Sequence, residues 1–162
     1  MTGFLDPLLA DPSLQLSETV VRLALAALFG AILGFEREWV SRPAGLRTHI
    51  LVSLACATIA MITVEIIERP LFDGQNLRSD PIRLVEAITA GVAFLAAGFI
   101  IFHKGEIQGV TTGAGMWLAA AIGLAAGLGL YRLAGLACLA GFIVLAVLRK
   151  LEQRLSLRDS DE

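Results

Sequence analysis

Charge is scarce in this sequence, and its scarcity is concentrated in long runs. Only 17% of the 162 residues are Asp, Glu, Lys or Arg, against about 25% in soluble domains. No charged residue lies between Glu106 and Arg132, and none between Arg132 and Arg149. The net charge is −2 and no basic stripe is present, so nucleic acid is excluded as a partner. Two cysteines cannot form a disulfide framework. Cys56 and Cys138 are expected at depths differing by roughly 10 Å at about 1.5 Å rise per residue, too far apart to bridge, and each reads as a small buried hydrophobe. His49 and His103 each stand alone at an expected membrane edge, without the spacing of a zinc site. There is no phosphate loop, nucleophile elbow or dinucleotide fingerprint. No catalytic residue and no cofactor are therefore expected, and enzyme is the least supported class. The segment before Arg22 carries Asp6, Asp11 and Glu18 but no Lys or Arg, which excludes the basic start of a cleavable signal.

What is abundant is hydrophobic sequence, 56% of the chain. A bilayer core about 30 Å thick needs roughly 20 predominantly apolar helical residues. Five such spans are expected: Thr19 to Phe35, His49 to Ile67, Leu84 to Phe102, Val110 to Gly129 and Leu133 to Leu148. The fold class is thus an all-α polytopic membrane helix bundle, organised as an extracytoplasmic segment (residues 1–18), a five-helix transmembrane domain (19–149) and a cytoplasmic tail (150–162). Arg22, Arg132 and Arg149 are expected to snorkel from span ends to the headgroups. Asp80-Pro81 supplies a cap and a first-turn proline for the third helix, Thr111 and Thr112 are cap candidates for the fourth, and Gly129 marks a tight hairpin into the fifth. Arg37, Arg42, Arg47, Lys104, Arg149, Lys150, Arg154 and Arg158 fall on one side. Arg69, Arg78, Arg83 and Arg132 fall on the other, with Arg22 at its edge. The richer side is cytoplasmic by the positive-inside rule, placing the N-terminus outside and the C-terminus inside.

Small-residue pairs come next: Gly30 with Gly34, Gly109 with Gly113, Gly123 with Gly127, and more weakly Ala137 with Gly141, with Gly91 and Gly98 as further helix-packing candidates. Such spacing lets helix backbones approach closely in lipid. The contact lies either within one bundle or between subunits, and a homo-oligomer, with a dimer favoured, is expected. Gly30, Gly34 and Arg37 share one helical face, so Arg37 continues a packing seam. Charges within membrane helices are costly and usually face a partner or a cavity. Two clusters qualify. Glu36, Arg37, Glu38, Arg47, Thr48, Thr111 and Thr112 are expected together at the cytoplasmic end, where Glu36 or Glu38 meets Arg47 or the amides of the fourth helix. Glu65, Asp80, Arg83, Glu86 and Arg132 can converge at the outer end. There Glu86 continues a face through Ala90, Ala93 and Ala97 and is expected to point at protein, as a structural ion pair or as a cation-accepting carboxylate.

Gly34-Phe35-Glu36-Arg37-Glu38 followed by Ala44-Gly45-Leu46-Arg47-Thr48 resembles the signature of the MgtC/SapB family of bacterial inner-membrane proteins. So do Asp80-Pro81-Ile82-Arg83 with Gly91, Phe94, Leu95 and Gly98, and the block Gly105, Gly109-Val110-Thr111-Thr112-Gly113-Ala114, Trp117 and Ala120-Ala121-Ile122-Gly123. The resemblance covers about residues 19 to 148. It implies five membrane helices with the N-terminus outside, location in the inner membrane, and a link to magnesium limitation. The family name implies magnesium transport. Its best-known member resembles a regulator of other membrane proteins, including the proton-driven ATP synthase, and carries a cytoplasmic domain beyond the bundle that has no counterpart before Glu162. Two functions follow as expectations: cation transport through a polar site at the helix ends, or regulatory binding of a partner membrane protein. Glu86 and Glu36 are the metal candidates, because a magnesium ion holds its waters and uses one or two carboxylates.

Overall fold

The computed structural model describes residues 14–39, 41–68, 81–103 and 106–148. Five helices carry the fold: α1 (Leu16–Trp39), α2 (Leu46–Glu68), α3 (Pro81–Ala97), α4 (Val110–Gly127) and α5 (Tyr131–Ile143). The chain belongs to the all-α membrane bundles. Leu16–Trp39, Leu46–Ile67 and Val110–Gly127 are each long and apolar enough to cross a membrane, and Tyr131–Val147 is a shorter apolar stretch. Phe35 and Trp39 pack in a tilted arrangement at the end of α1 with centroids 5.9 Å apart, and the amphipathic Trp39 ring suits the membrane–water boundary.

Local chemistry sets the helix ends. After Trp39, Ser41 adopts φ 53°, and Ser41 and Arg42 donate backbone bonds to Glu38 O and Arg37 O, closing α1. Helix α3 starts at Pro81, as the Asp80-Pro81 pair predicts. It stops at Ala97, five residues short of the expected Phe102. Gly98 weakens the helix there, and Phe99 to Phe102 is aromatic and β-branched, which favours strand. Strand β1 (Ile101–His103) then pairs antiparallel with β2 (Glu106–Gln108), Phe102 opposite Ile107. Gly109 caps α4 with φ 86° and no side-chain hydrogen bond, so Thr111 and Thr112 do not act as caps. The α4–α5 turn is a Schellman motif, with Leu130 N donating to Ala125 O, Gly129 N donating to Ala126 O and Gly129 at φ 76°. Beyond Ile143 the last helix widens into a π turn over Val144–Leu148.

Helix α4 is the centre, with 61% of its span buried and neighbours α1, α2, α3 and α5. The core is built of small residues, Ala26, Ala57, Ala119, Ala126 and Ala134, filled by Leu33, Ile122 and Cys138. Glycines make the closest approaches. A Cβ on Gly30 would lie 2.8 Å from His49 O, and one on Gly34 2.8 Å from Leu46 Cα. On the other flank of α2, a Cβ on Gly127 would lie 2.5 Å from Ala57 O, and one on Gly123 would overlap Ser53 O. These pairs therefore serve α1–α2 and α2–α4 packing inside one chain. Gly91 and Gly98 do not pack as expected: Gly91 has open space and Gly98 meets only Leu95 O of its own turn. Both cysteines are free and buried.

Candidate functional site

The end of α1 meets the starts of α2 and α4. Because Gly30 and Gly34 hold α1 against α2, Arg37, one and two turns on, lands inside the contact and is 6% exposed. Glu36 beside it is 7% exposed, and its Oε2 lies 3.5 Å from Arg37 Nε. Across the seam, His49 on α2 is fully buried. Its Nδ1 lies 2.9 Å from Gly45 O, while Nε2 has no hydrogen-bond partner among the described residues. Nε2 faces α4 at Gly115: a Cβ there would lie 3.3 Å from His49 Nε2 and 3.9 Å from Arg37 Nε. Thr112 is buried one turn earlier on α4. One turn deeper on α2, buried Ser53 donates from Oγ to Ala26 O at 2.8 Å.

The expected cytoplasmic cluster therefore divides. Glu36, Arg37 and Thr112 are inside. Glu38, about 200° around the helix from Glu36, is exposed and accepts a hydrogen bond from Leu46 N at 3.0 Å. It caps α2, and Gly45 leaves the room for it. Arg47 and Thr111 are exposed and Thr48 is half-buried. No ion pair joins Arg47 to a carboxylate among the described residues. His49 and Ser53 belong to the site although His49 reads as a lone edge histidine. Their signal is the spacing Leu46, His49, Ser53, Ala57, one face of a helix running against the glycines.

Among the described residues no ion pair joins the outer side chains Glu65, Arg83, Glu86 and Arg132. Glu65 Oε1 accepts a hydrogen bond from Leu14 N at 2.8 Å, fixing the chain before α1. Arg83, Glu86 and Arg132 are exposed, and Asp80 lies outside the described residues. The face of Glu86, Ala90, Ala93 and Ala97 points away from the bundle, because Ile88, Val92 and Ala96 on the opposite side supply the apolar contact. Arg22 does not snorkel. It is 8% exposed, donates from Nη1 to Gly127 O at 2.6 Å and pairs with Glu18, closing the C-terminal end of α4.

Among the described residues no three His, Cys, Asp or Glu side chains come close enough to hold a metal ion. The buried cluster offers one carboxylate oriented by a guanidinium and one imidazole nitrogen, a donor set that meets a hydrated cation through a single carboxylate. Taking an ion pair out of water costs on the order of several kcal/mol per ion before its attraction is counted, so a pair buried in a membrane helix is a candidate functional position.

Fold and site together define a membrane-embedded helix bundle with a buried charged cluster at one end. The chain belongs to the MgtC family, whose sequence pattern matches residues 23–154. It is similar to protein MgtC of Brucella abortus, 38% identical over 144 residues, covering 88% of this chain and 56% of that one. It is 34% identical over 139 residues to YhiD of Escherichia coli K12, provisionally named a magnesium transporter, covering 86% of this chain and 64% of YhiD. An uncharacterized protein of Haemophilus influenzae is 33% identical over 100 residues, 61% of this chain and 42% of its own. The chain thus spans less than two thirds of the length of these relatives. No solved structure matches it.

Proposed function

We propose that this protein acts in magnesium homeostasis from the bacterial inner membrane, with its N-terminus outside and C-terminus inside, and that the Glu36–Arg37–His49 cluster is its functional centre. The observation that carries this is the burial of Glu36 and Arg37 at 7% and 6% exposure. Charges that merely anchor a helix at the headgroups stay exposed at the surface of the bundle, as Arg47 is. The transport reading treats Arg37 as a tethered cation on Glu36. A partly hydrated magnesium ion arriving at this end competes with the guanidinium for the carboxylate, and Arg37 returns as the ion leaves. The name given to YhiD supports the ion.

A second reading, regulation of a partner membrane protein such as an ATP synthase or a transporter, is favoured by one observation. The α1–α2–α4 seam is closed by glycine-to-backbone contacts at Gly30, Gly34 and Gly127, which leaves a rigid bundle with a polar end. The two readings separate in proteoliposomes holding this protein alone. Magnesium uptake that disappears with Glu36→Gln supports transport. Absence of flux, with growth under magnesium limitation still depending on Glu36 and Arg37, supports regulation. If Glu36→Gln, Arg37→Gln and His49→Gln all insert, keep their thermal stability and grow normally without magnesium, the cluster is not a functional centre.

A further inference from the structure

Helix α3 rests on the bundle along a single line, Ile88, Val92 and Ala96, each 8% exposed. Its opposite face is Arg83, Ala87, Ala90 and Phe94, with Gly91 on one flank and Glu86 on the other, and all six are exposed. This face is unlike the rest of the outer surface. Exposed positions on α1 and α5 are large aliphatics such as Leu28, Ile32, Leu136 and Leu139, which lipid tails solvate well. On this face of α3, Phe94 at 86% exposure is the one large apolar side chain, beside Ala87, Ala90 and Gly91, while the exposed Ile82, Val85 and Leu95 lie on the flanks toward the bundle. Gly91 has nothing within 4 Å of an added Cβ, whereas Gly30, Gly34 and Gly127 meet α2 backbone at 3 Å or less. Glu86 lies more than one turn inside the helix and pairs with no group among the described residues. A carboxylate facing hydrocarbon is expensive and calls for a cationic partner.

We infer that this face is the contact between two copies of the chain, with α3 helices parallel around a two-fold axis along the membrane normal. An isologous contact must complement itself, and this one does. Arg83 and Glu86 carry opposite charges three residues apart, about 4.5 Å along the axis. Across a parallel two-fold contact like residues sit at equal level, so the pairing of Arg83 with Glu86 of the other copy relies on the long Arg83 side chain spanning that offset. Ala87 and Ala90 on the centre line let the backbones approach, and Phe94 leans toward the level of the open space at Gly91 in the facing helix. The inference stands apart from the magnesium reading, and its test uses no transport or growth readout.

Cys56 and Cys138 are buried, so a single surface cysteine can be followed in the full chain. Oxidation of native membranes carrying Ala90→Cys is expected to give a covalent homodimer, while Leu136→Cys on the lipid face of α5 gives none. Adding Gly91→Leu leaves the subunit folded, since its side chain enters open space, and is expected to lower the Ala90→Cys cross-link about tenfold by parting the helices. Glu86→Arg should lower it as well, and Arg83→Glu in the same chain should restore it. Equal cross-linking at positions 90 and 136 would reveal random collision. Failure at position 90 would leave the face to lipid, and a cross-link there to a different protein would assign it to another partner. Each of these, or an undiminished dimer with Gly91→Leu, overturns the inference.

Discussion

Arg22 and Arg37 are buried near opposite ends of α1, and what they bond to separates their roles. Arg22 donates to Gly127 O, one of the carbonyls left without an amide at the end of α4. Its second partner, Glu18, sits one turn earlier on the same helix. Both contacts complete the architecture. Arg22→Met, which keeps apolar length but removes the donor, should therefore lower thermal stability in detergent, by about 1.5–3 kcal/mol for a hydrogen bond to a charged group. Folded protein carrying it should retain the wild-type magnesium phenotype. Arg37 faces a carboxylate across from an imidazole nitrogen that has no hydrogen-bond partner among the described residues, an arrangement that packing alone does not require. A loss of phenotype with Arg22→Met at unchanged stability would remove this distinction.

At the scale of the elements, Gly123 is the point where α4 comes closest to α2, and an added Cβ there would overlap the carbonyl of Ser53. Backbone cannot rotate away as a side chain can. Gly123→Ala should part the helices and cost about 1–3 kcal/mol of overpacking strain, read as a lowered unfolding midpoint, and a midpoint at or above wild type would contradict the packing. The spacing of Gly123 and Gly127 makes a close approach legible in the sequence but does not name the neighbour, so an intersubunit role for these pairs and an intrachain one look alike until α2 is seen between α1 and α4. Two helix boundaries are legible for a stronger reason: Pro81 fixes φ in the first turn of α3, and Gly129 admits the positive φ that turns the chain from α4 into α5. The end of α3 is not, because Phe99 to Phe102 is as hydrophobic in a strand as in a helix. Which side of α3 meets the bundle is not legible for a related reason, since alanines at 90, 93 and 97 describe a helix face that can pack on something, and Ile88, Val92 and Ala96 on the other side outcompete them for the bundle. At the polar site Arg37 follows from its register with Gly30 and Gly34. His49 escapes notice because a histidine gains meaning here only from the residues at its own helical spacing.

For the whole molecule, the five helices alternate in direction, so the end of α1, the starts of α2 and α4 and the β1–β2 hairpin share one face, while Arg22 and the α4–α5 turn share the other. That arrangement is fixed by packing, but it would be equally stable in either direction across a bilayer. The distribution of basic residues breaks the tie: Arg42 in the α1–α2 connection and Arg47 in the first turn of α2 stand at the Glu36 end, and Lys104 falls between β1 and β2 in the sequence. Positive residues are retained on the cytoplasmic side during insertion, so the cluster should lie at the cytoplasmic end of the bundle. Ser41, exposed in the α1–α2 connection, and Asn76, between α2 and α3, are suited to reporting this, because the two native cysteines are buried and contribute no background. With an impermeant maleimide on intact cells, Asn76→Cys should label at once and Ser41→Cys only after the membrane is opened. Labelling of position 41 from outside would leave the bundle as described and turn it over, placing the Glu36–Arg37–His49 cluster against the extracellular medium.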